Sequence, residues 1–361
     1  MKILHVIISL STGGAEHLMV DLLPKLRDLG NDVELLVFDG SPTPFYEELA
    51  QKGIKIHSLG IGGNVYHPRN MFKLTRFMSG YDIVHTHLSI CQLYAPIAKL
   101  LKFSRVPLVT TEHSATNRRR SKWYLKCLDK WMYGRYSHII CIANQTYTNL
   151  VEYIGQKSNI STIFNGVNVA RFLNPIKDIS KKDSFIITMA AAFREQKDQD
   201  TLIKAMTLLP NNYTLRIVGD GVRRSVLEQL TVELGLENRV SFLGIRSDIP
   251  DLLRESDINV LSSHWEGLSL SSIEGMASGR PFIASDVDGL REMVDGYGCL
   301  FPHGDYNILA EKIKSLCETP DLYKSIAEKC QERAKEFDIQ EMALSYNRVY
   351  EELYKPSYSI N

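Results

Sequence analysis

Short runs of β-type apolar residues alternate along this chain with longer segments whose apolar positions recur at helical spacing. Residues 3–9 predict a first strand. A Gly-rich turn and a helix to about Leu29 follow, and Gly30 supplies the C-terminal stop. Residues 33–38, 54–59, 83–86, 108–112 and 138–143 predict further strands, with helical patterns between them. The polar stretch 174–184, which contains Pro175 and Lys181-Lys182-Asp183, breaks this rhythm and reads as an inter-domain linker. Strands then resume at 185–190, 213–218, 240–243, 258–261 and 281–284, with helices at 200–209 and 223–234. Helical patterns fill 306–354. The alternation implies an α/β protein whose parallel sheets are covered on both faces. The expected division is a first domain over 1–173, the linker 174–184, a second domain over 185–338 and a C-terminal helix within 339–361. In that helix Met342, Tyr346, Val349, Tyr350 and Leu353 share one stripe, which suits either a return to the first domain or a place in the second.

Composition narrows the class. The chain has 361 residues, which suits two domains at roughly 100–200 residues each. Basic and acidic side chains balance at 42 each, which argues against a nucleic-acid partner, because such proteins carry a basic excess. The cysteines Cys91, Cys127, Cys141, Cys299, Cys317 and Cys330 form no C-x-x-C pair and no zinc-ligand spacing with a histidine. Reduced, mostly buried thiols in a cytosolic protein are therefore expected. Neither a metal nor a cofactor is expected. The apolar run 3–10 imitates a signal peptide, but His5 and Ser9 break it and no A-x-A-like site follows. A buried strand fits it better. No stretch reaches the ~18 apolar residues of a membrane span, and the expected location is cytoplasmic, with a peripheral place on the inner face of the cell membrane as the alternative.

Three places carry candidate chemistry. Gly13-Gly14 lies between the first strand and the first helix, where exposed N–H groups can cradle a phosphate. A ligand-free tight turn is the simpler account of a lone Gly-Gly. Gly219-Asp220-Gly221 begins like G-x-G-x-x-G but ends on Arg224, which weakens a dinucleotide reading. The strongest signal spans 262–289, where Glu266 lies in a loop and Glu274 lies within the helix that follows. Ser269 or a neighbour can cap that helix, which ends near Gly279. The N–H groups of Leu270, Ser271 and Ser272 can hold a diphosphate at the positive end of the helix dipole. Taken alone, two acids are more simply a capping acid and a solvated one.

The surrounding motifs change that weighting. Glu266 and Glu274 stand in an E-x7-E arrangement. Leu215-Arg216-Ile217-Val218-Gly219-Asp220-Gly221, Phe242-Leu243-Gly244 and Asn165-Gly166-Val167-Asn168 occur at fitting separations. Gly13-Gly14-Ala15-Glu16 and Asp82-Ile83-Val84-His85-Thr86-His87 precede them. Together, over nearly the whole chain, these closely resemble the retaining GT-B glycosyltransferases of group 1, or family 4, including those that build bacterial surface polysaccharides. The resemblance implies two Rossmann-like domains facing a central cleft. It implies that Glu274 binds the nucleotide ribose, and that Glu266 with the backbone of Gly267, Leu268, Ser269 and Leu270 holds the donor sugar. Gly14, beside Gly13, and Lys197 would grip the diphosphate, and the backbone at Arg246 would touch the base. His113 matches the histidine that faces the donor sugar, and with Glu266 makes the catalytic pair. One departure stands out: Ala192 occupies the position of the family's usual arginine, and Arg194 is the nearby candidate to replace it.

The resemblance thus implies sugar transfer from a nucleoside diphosphate to a hydroxyl of a glycan or lipid-linked acceptor. Retention would follow from same-face attack. The growing phosphate charge needs Lys197, an arginine and helix N–H donors, and no D-x-D-type pair is placed for a cation, since Asp286-x-Asp288 lies after a strand in a loop that the resembled family does not use for metal. Two rival readings are a nucleotide-sugar 2-epimerase on the same fold and a non-catalytic nucleotide-sugar-binding protein. Between residues 118 and 135, Arg118, Arg119, Arg120, Lys122, Lys126, Lys130 and Arg135 stand against Asp129 alone, interspersed with Trp123, Tyr124 and Trp131. A solvated helix with its aromatics turned to the core explains this run. So does a patch, including Arg118, Arg119 and Arg120, that meets an acceptor or the anionic inner face of the cell membrane.

Overall fold

Strand periodicity decides where the polar residues of the first sheet end up. The structure, a computed structural model, describes residues 1–11, 13–114 and 122–354. The chain folds as two compact units: Met1–Gly166 with the segment that starts at Ile339, and Val167–Asp338.

The first unit holds β1 (Lys2–Ile7), β2 (Asp32–Val37), β3 (Lys55–Ser58), β4 (Ile83–His87), β5 (Leu108–Glu112), β6 (His138–Cys141) and β7 (Ile160–Thr162). All pair in parallel, in the order β3-β2-β1-β4-β5-β6-β7. Successive side chains point to opposite faces. Leu4, Val6, Val84 and Leu108 therefore join one buried cluster, and Ile3, Ile7, Ile83 and Val109 join another. The second face is covered by the helix Gly14–Asp28 and the helix Ile339–Leu353. His5 pairs in register with His85, so both share the face of Ile3 and Ile83.

The helix Ile339–Leu353 packs on Gly14–Asp28 through Ile339, Met342, Ala343, Tyr346 and Tyr350, and Asn31 Nδ2 donates to Asn347 Oδ1 at 2.8 Å. Fully burying one large apolar side chain contributes roughly 1.5–3 kcal/mol, so this stripe is a sufficient reason for the helix to join the first sheet.

The second unit repeats the plan with β8 (Phe185–Ala190), β9 (Tyr213–Val218), β10 (Val240–Gly244), β11 (Ile258–Leu261), β12 (Phe282–Ser285) and β13 (Cys299–Phe301), in the order β10-β9-β8-β11-β12-β13. The sequence reading ends the first domain at residue 173 and treats 174–184 as a linker. In the structure Val167 already pairs with Asp338, and its N–H donates to Phe337 O at 3.0 Å. Residues 174–184 are tied down as well. Lys177 and Lys182 both pair with the buried Asp257, and Arg280 donates to Pro175 O at 2.9 Å. A buried carboxylate needs such partners, and the polar stretch supplies them.

In each sheet the strand order reverses direction beside the unit's first strand, between β1 and β4 and between β8 and β11. Crevices beyond the carboxyl ends of parallel strands form at such points. Beyond β4, Leu88 adopts φ 68° and ψ 153° and starts the helix Ser89–Leu101. A non-glycine residue there costs about 1–3 kcal/mol, which the packing around it must offset.

Candidate active site

At the reversal in the second unit, the segments after β8 and β11 meet. Arg194, Glu195, Gln196 and Lys197 form a short turn that ends at Asp198. Asp198 takes a left-handed φ of 47° and caps the helix Gln199–Ala205, accepting from Thr201 N at 3.3 Å and Thr201 Oγ1 at 2.6 Å. That cap aims Lys197 at the β11 loop, where its Nζ pairs with Glu266 Oε1. Both side chains are largely shielded from solvent, which strengthens the pair relative to an exposed one. Ser263 Oγ donates to the same carboxylate oxygen at 2.7 Å. Gln196 Nε2 donates to Trp265 O at 2.8 Å, and His264 N donates to Gln196 O at 2.8 Å. Glu266 is thus held by residues of both segments.

Sequence reasoning missed Ser263, Gln196 and one further support, Gly289. A Cβ on Gly289 would lie 2.2 Å from Gly267 O and 2.4 Å from Glu266 O. Only glycine lets the helix Asp288–Val294 press so closely on the Glu266 loop.

Glu274 lies within the helix Leu270–Ala277, and with Gly219, Ile245 and Arg246 it lines one open depression at the ends of β8 and β9. Gly219 has φ 131°, and a Cβ there would sit 2.1 Å from Ala191 O, so the turn after β9 admits only glycine. Arg246 is paired with Asp248 at 2.7 Å.

Two details of this helix differ from the sequence reading. Ser269 occupies the N-cap position, but its hydroxyl meets Ser271 Oγ at 3.0 Å instead of a backbone N–H. The N–H of Ser272 is already bonded to Ser269 O at 3.1 Å, since the first turn closes tightly. Among the described residues the N–H groups of Leu270 and Ser271 meet no acceptor outside the helix. Leu268 and Ser269 are buried in the approach to the helix. Arg194 is exposed and, among the described residues, makes no ion pair.

In the first unit Gly13 precedes the helix that begins at Gly14. A Cβ on Gly13 would fall 2.2 Å from Oε2 of Glu16, so that carboxylate lies over the turn proposed as a phosphate cradle. Burial raises the Glu16 pKa, and a hydrogen bond to its own backbone partly opposes this.

His113 directly follows β5, and its Nε2 lies 2.9 Å from Nδ1 of His87. Burial lowers its pKa to about 4, so at neutral pH it is an uncharged hydrogen-bonding group. Arg118, Arg119 and Arg120 lie outside the described residues. Of the neighbouring aromatics, Trp131 packs on the core beneath Arg135, whereas Trp123 is 85% and Tyr124 58% exposed.

Two groups among the described residues bring possible ion ligands together. In His5, His85 and His87 the ring nitrogens are engaged with one another, His113, Tyr350 and Thr111. In the other group, Asp198 serves as the helix cap, and His264 and His303 bond to each other.

Comparison with known proteins gives the family. The profile described as Glycosyltransferase Family 4 matches residues 12–171, and that described as Glycosyl transferases group 1 matches residues 172–336. The putative glycosyltransferase EpsD of Bacillus subtilis is 31% identical over 294 residues, covering 74% of this chain and 76% of its own. The UDP-Gal:alpha-D-GlcNAc-diphosphoundecaprenol alpha-1,3-galactosyltransferase of Escherichia coli is 28% identical and covers 80% of both chains. The solved structure of Anabaena HepE in complex with UDP and glucose superposes with a TM-score of 0.85 at 24% identity, over 98% of this chain and 100% of that one. The fold is that of an α/β protein of the GT-B class, built from two Rossmann-like domains. The chain belongs to the group 1 glycosyltransferases of the family 4 type and is a sugar transferase.

Proposed function

We propose that the protein transfers a sugar, with retention of anomeric configuration and without a divalent metal, from a nucleoside-diphosphate sugar to an acceptor hydroxyl. The observation that carries this reading is Lys197 held against Glu266 at the reversal of the second sheet. On donor binding, Lys197 turns its charge to the diphosphate, with Arg194 and the N–H groups of Leu270 and Ser271 as further donors. Gly14 contributes its N–H once the Glu16 carboxylate moves off the turn. Glu274 holds the ribose, the backbone at Arg246 meets the base, and Glu266 with Gly267 and Leu268 holds the sugar. His113 is assigned to the same sugar, from the first domain.

The bond between the anomeric carbon and the diphosphate oxygen breaks as that carbon bonds to the acceptor oxygen on the same face. The acceptor proton passes to the departing diphosphate. The diphosphate charge is thus met by Lys197, Arg194 and helix N–H groups, which removes the need for a cation.

The acceptor we infer is a lipid-linked glycan used in polysaccharide or glycolipid assembly. The named substrate of the Escherichia coli relative is a diphosphoundecaprenol-linked sugar, which supports this reading. Exposed Trp123 and Tyr124, with Lys122, Lys126 and the arginines at 118–120, suit a peripheral patch on an anionic membrane. No helix among the described residues is long and apolar enough to cross a membrane.

The test is a panel of UDP-, GDP- and ADP-sugars offered with short lipid-diphosphate sugar acceptors in EDTA, with the product linkage read by NMR. An α-linked product from an α-linked donor is expected. An inverted linkage, transfer only with Mg²⁺ or Mn²⁺, or an epimerised donor formed without acceptor would overturn the reading.

A further inference from the structure

Four histidines of the first unit stand in one hydrogen-bonded line. His113 Nε2 meets His87 Nδ1 at 2.9 Å, and His87 Nε2 meets His5 Nδ1 at 3.0 Å. His5 Nε2 faces the Tyr350 hydroxyl at 3.4 Å, and that hydroxyl meets His85 Nδ1 at 2.6 Å. His85 Nε2 ends the line at Thr111 Oγ1, 2.8 Å away, with the Tyr346 hydroxyl 3.0 Å beyond. The topology explains the arrangement. His5 and His85 are register partners on adjacent strands, His87 is two residues on along the same face, and β5 delivers His113 at its end. His5, His85 and His87 are fully buried, with Tyr350 against His5 and His85 and Tyr346 against His85, both from the helix Ile339–Leu353.

A neutral imidazole has one N–H and one lone pair, so each bond in such a line fixes the next. The direction is set at Tyr350, whose hydroxyl has one proton and two nitrogen neighbours. At 2.6 Å it donates to His85 Nδ1, a short bond of the kind a phenol makes to an imidazole lone pair. His85 then carries its proton on Nε2 and donates to Thr111. His5 Nε2, 3.4 Å away, then faces the oxygen's lone pair, which favours a proton there and leaves His5 Nδ1 to accept from His87 Nε2–H. His87 Nδ1 in turn accepts from His113 Nε2–H. Among the described residues nothing bonds to His113 Nδ1.

We propose that His87, His5 and Tyr350 are positioning residues that fix His113 as its Nε2–H tautomer, so that Nδ1 presents a lone pair to a hydroxyl of the donor sugar. The functional part rests on assigning His113 to that sugar, whereas the tautomer does not. Both the strand register and a helix from the far end of the chain are thereby tied to one acceptor atom. The line also gives the two buried imidazoles of β4 their hydrogen-bond partners.

The test is ¹⁵N imidazole NMR on histidine-labelled protein without any ligand, with His113 assigned by its substitution. Wild type is expected to show His113 as Nε2–H alone. Tyr350→Phe removes the hydroxyl three links away and should weaken the tautomer preference roughly tenfold, the size of one neutral hydrogen bond. His87→Leu should mix the tautomers, and His87→Asn, whose oxygen can take the place of Nδ1, should restore Nε2–H. A wild-type His113 that is Nδ1–H or mixed overturns the proposal, as does a Tyr350→Phe spectrum with His113 unchanged in a folded protein. If the spectra behave as expected but His113→Ala keeps full transfer, the line stands and the assignment of His113 to the sugar falls.

Discussion

Lys197 and Glu266 form an ion pair whose carboxylate also accepts from Ser263 Oγ at 2.7 Å. A pair inside the proposed donor site must open when a diphosphate arrives. Lys197→Ala should weaken nucleoside-diphosphate binding about tenfold to hundredfold, the range of one charge-assisted hydrogen bond. Glu266→Gln frees the lysine, so binding of the free nucleotide should hold or tighten while transfer falls on the order of a hundredfold. Calorimetry beside a transfer assay separates the two. Equal loss of nucleotide binding in both variants would refute the division of labour.

Gly289 and Gly267 make a paired test of the loop. Gly289→Ala pushes a Cβ into two backbone oxygens, whereas a Cβ on Gly267 meets nothing within 4 Å. Overpacking of this kind costs about 1–3 kcal/mol, more where backbone must move. The second unit should melt several degrees lower in Gly289→Ala, at about 2–4 °C per kcal/mol. Gly267→Ala should melt with wild type. Indistinguishable melting of Gly289→Ala would show that the loop does not depend on this contact.

Arg194 is expected to stand in for the arginine absent at Ala192. Arg194→Ala should lower donor affinity or rate about tenfold to hundredfold, and adding Ala192→Arg should recover part of the loss. Unchanged kinetics in Arg194→Ala would place the second phosphate contact elsewhere.

The buried histidines make a prediction about acid. Burial lowers the pKa of His5 to about 3 and of His113 to about 4, and holds His85 and His87 well below the ordinary 6.5. As pH falls below 6.5 the unfolded chain gains protons there that the folded chain does not. Stability should therefore be level above about pH 6.5 and fall between 6.5 and the folded values. His5 alone accounts for about 2 kcal/mol at pH 5, where carboxylates are still mostly ionised. Urea unfolding at pH 7.5 and pH 5.0 checks this; an unchanged midpoint would mean that the rings are not neutral in the folded protein.

Much of this was legible in the chain. Strands such as Leu108–Glu112, Phe185–Ala190 and Tyr213–Val218 read directly from apolar runs, and the motif order pointed to the family. The strands Ile160–Thr162 and Cys299–Phe301 were not read, because three residues at a sheet edge carry too little pattern. The sequence predicts a side-chain cap from Ser269 or a neighbour, but the Ser269 hydroxyl at the N-cap pairs locally with Ser271. The contact of Lys197 with Glu266 and the line from His113 to Tyr350 join residues far apart in sequence. Periodicity gives the face on which each residue lies, and only strand order brings the faces together.

The most direct measurement is calorimetric titration of wild type and Glu274→Ala with UDP, GDP and ADP in EDTA. The expected result is that one nucleotide binds the wild type without metal, and that Glu274→Ala binds it roughly tenfold to hundredfold more weakly. If no nucleotide binds, or if Glu274→Ala binds as tightly as wild type, the donor does not occupy the depression beside the helix Leu270–Ala277.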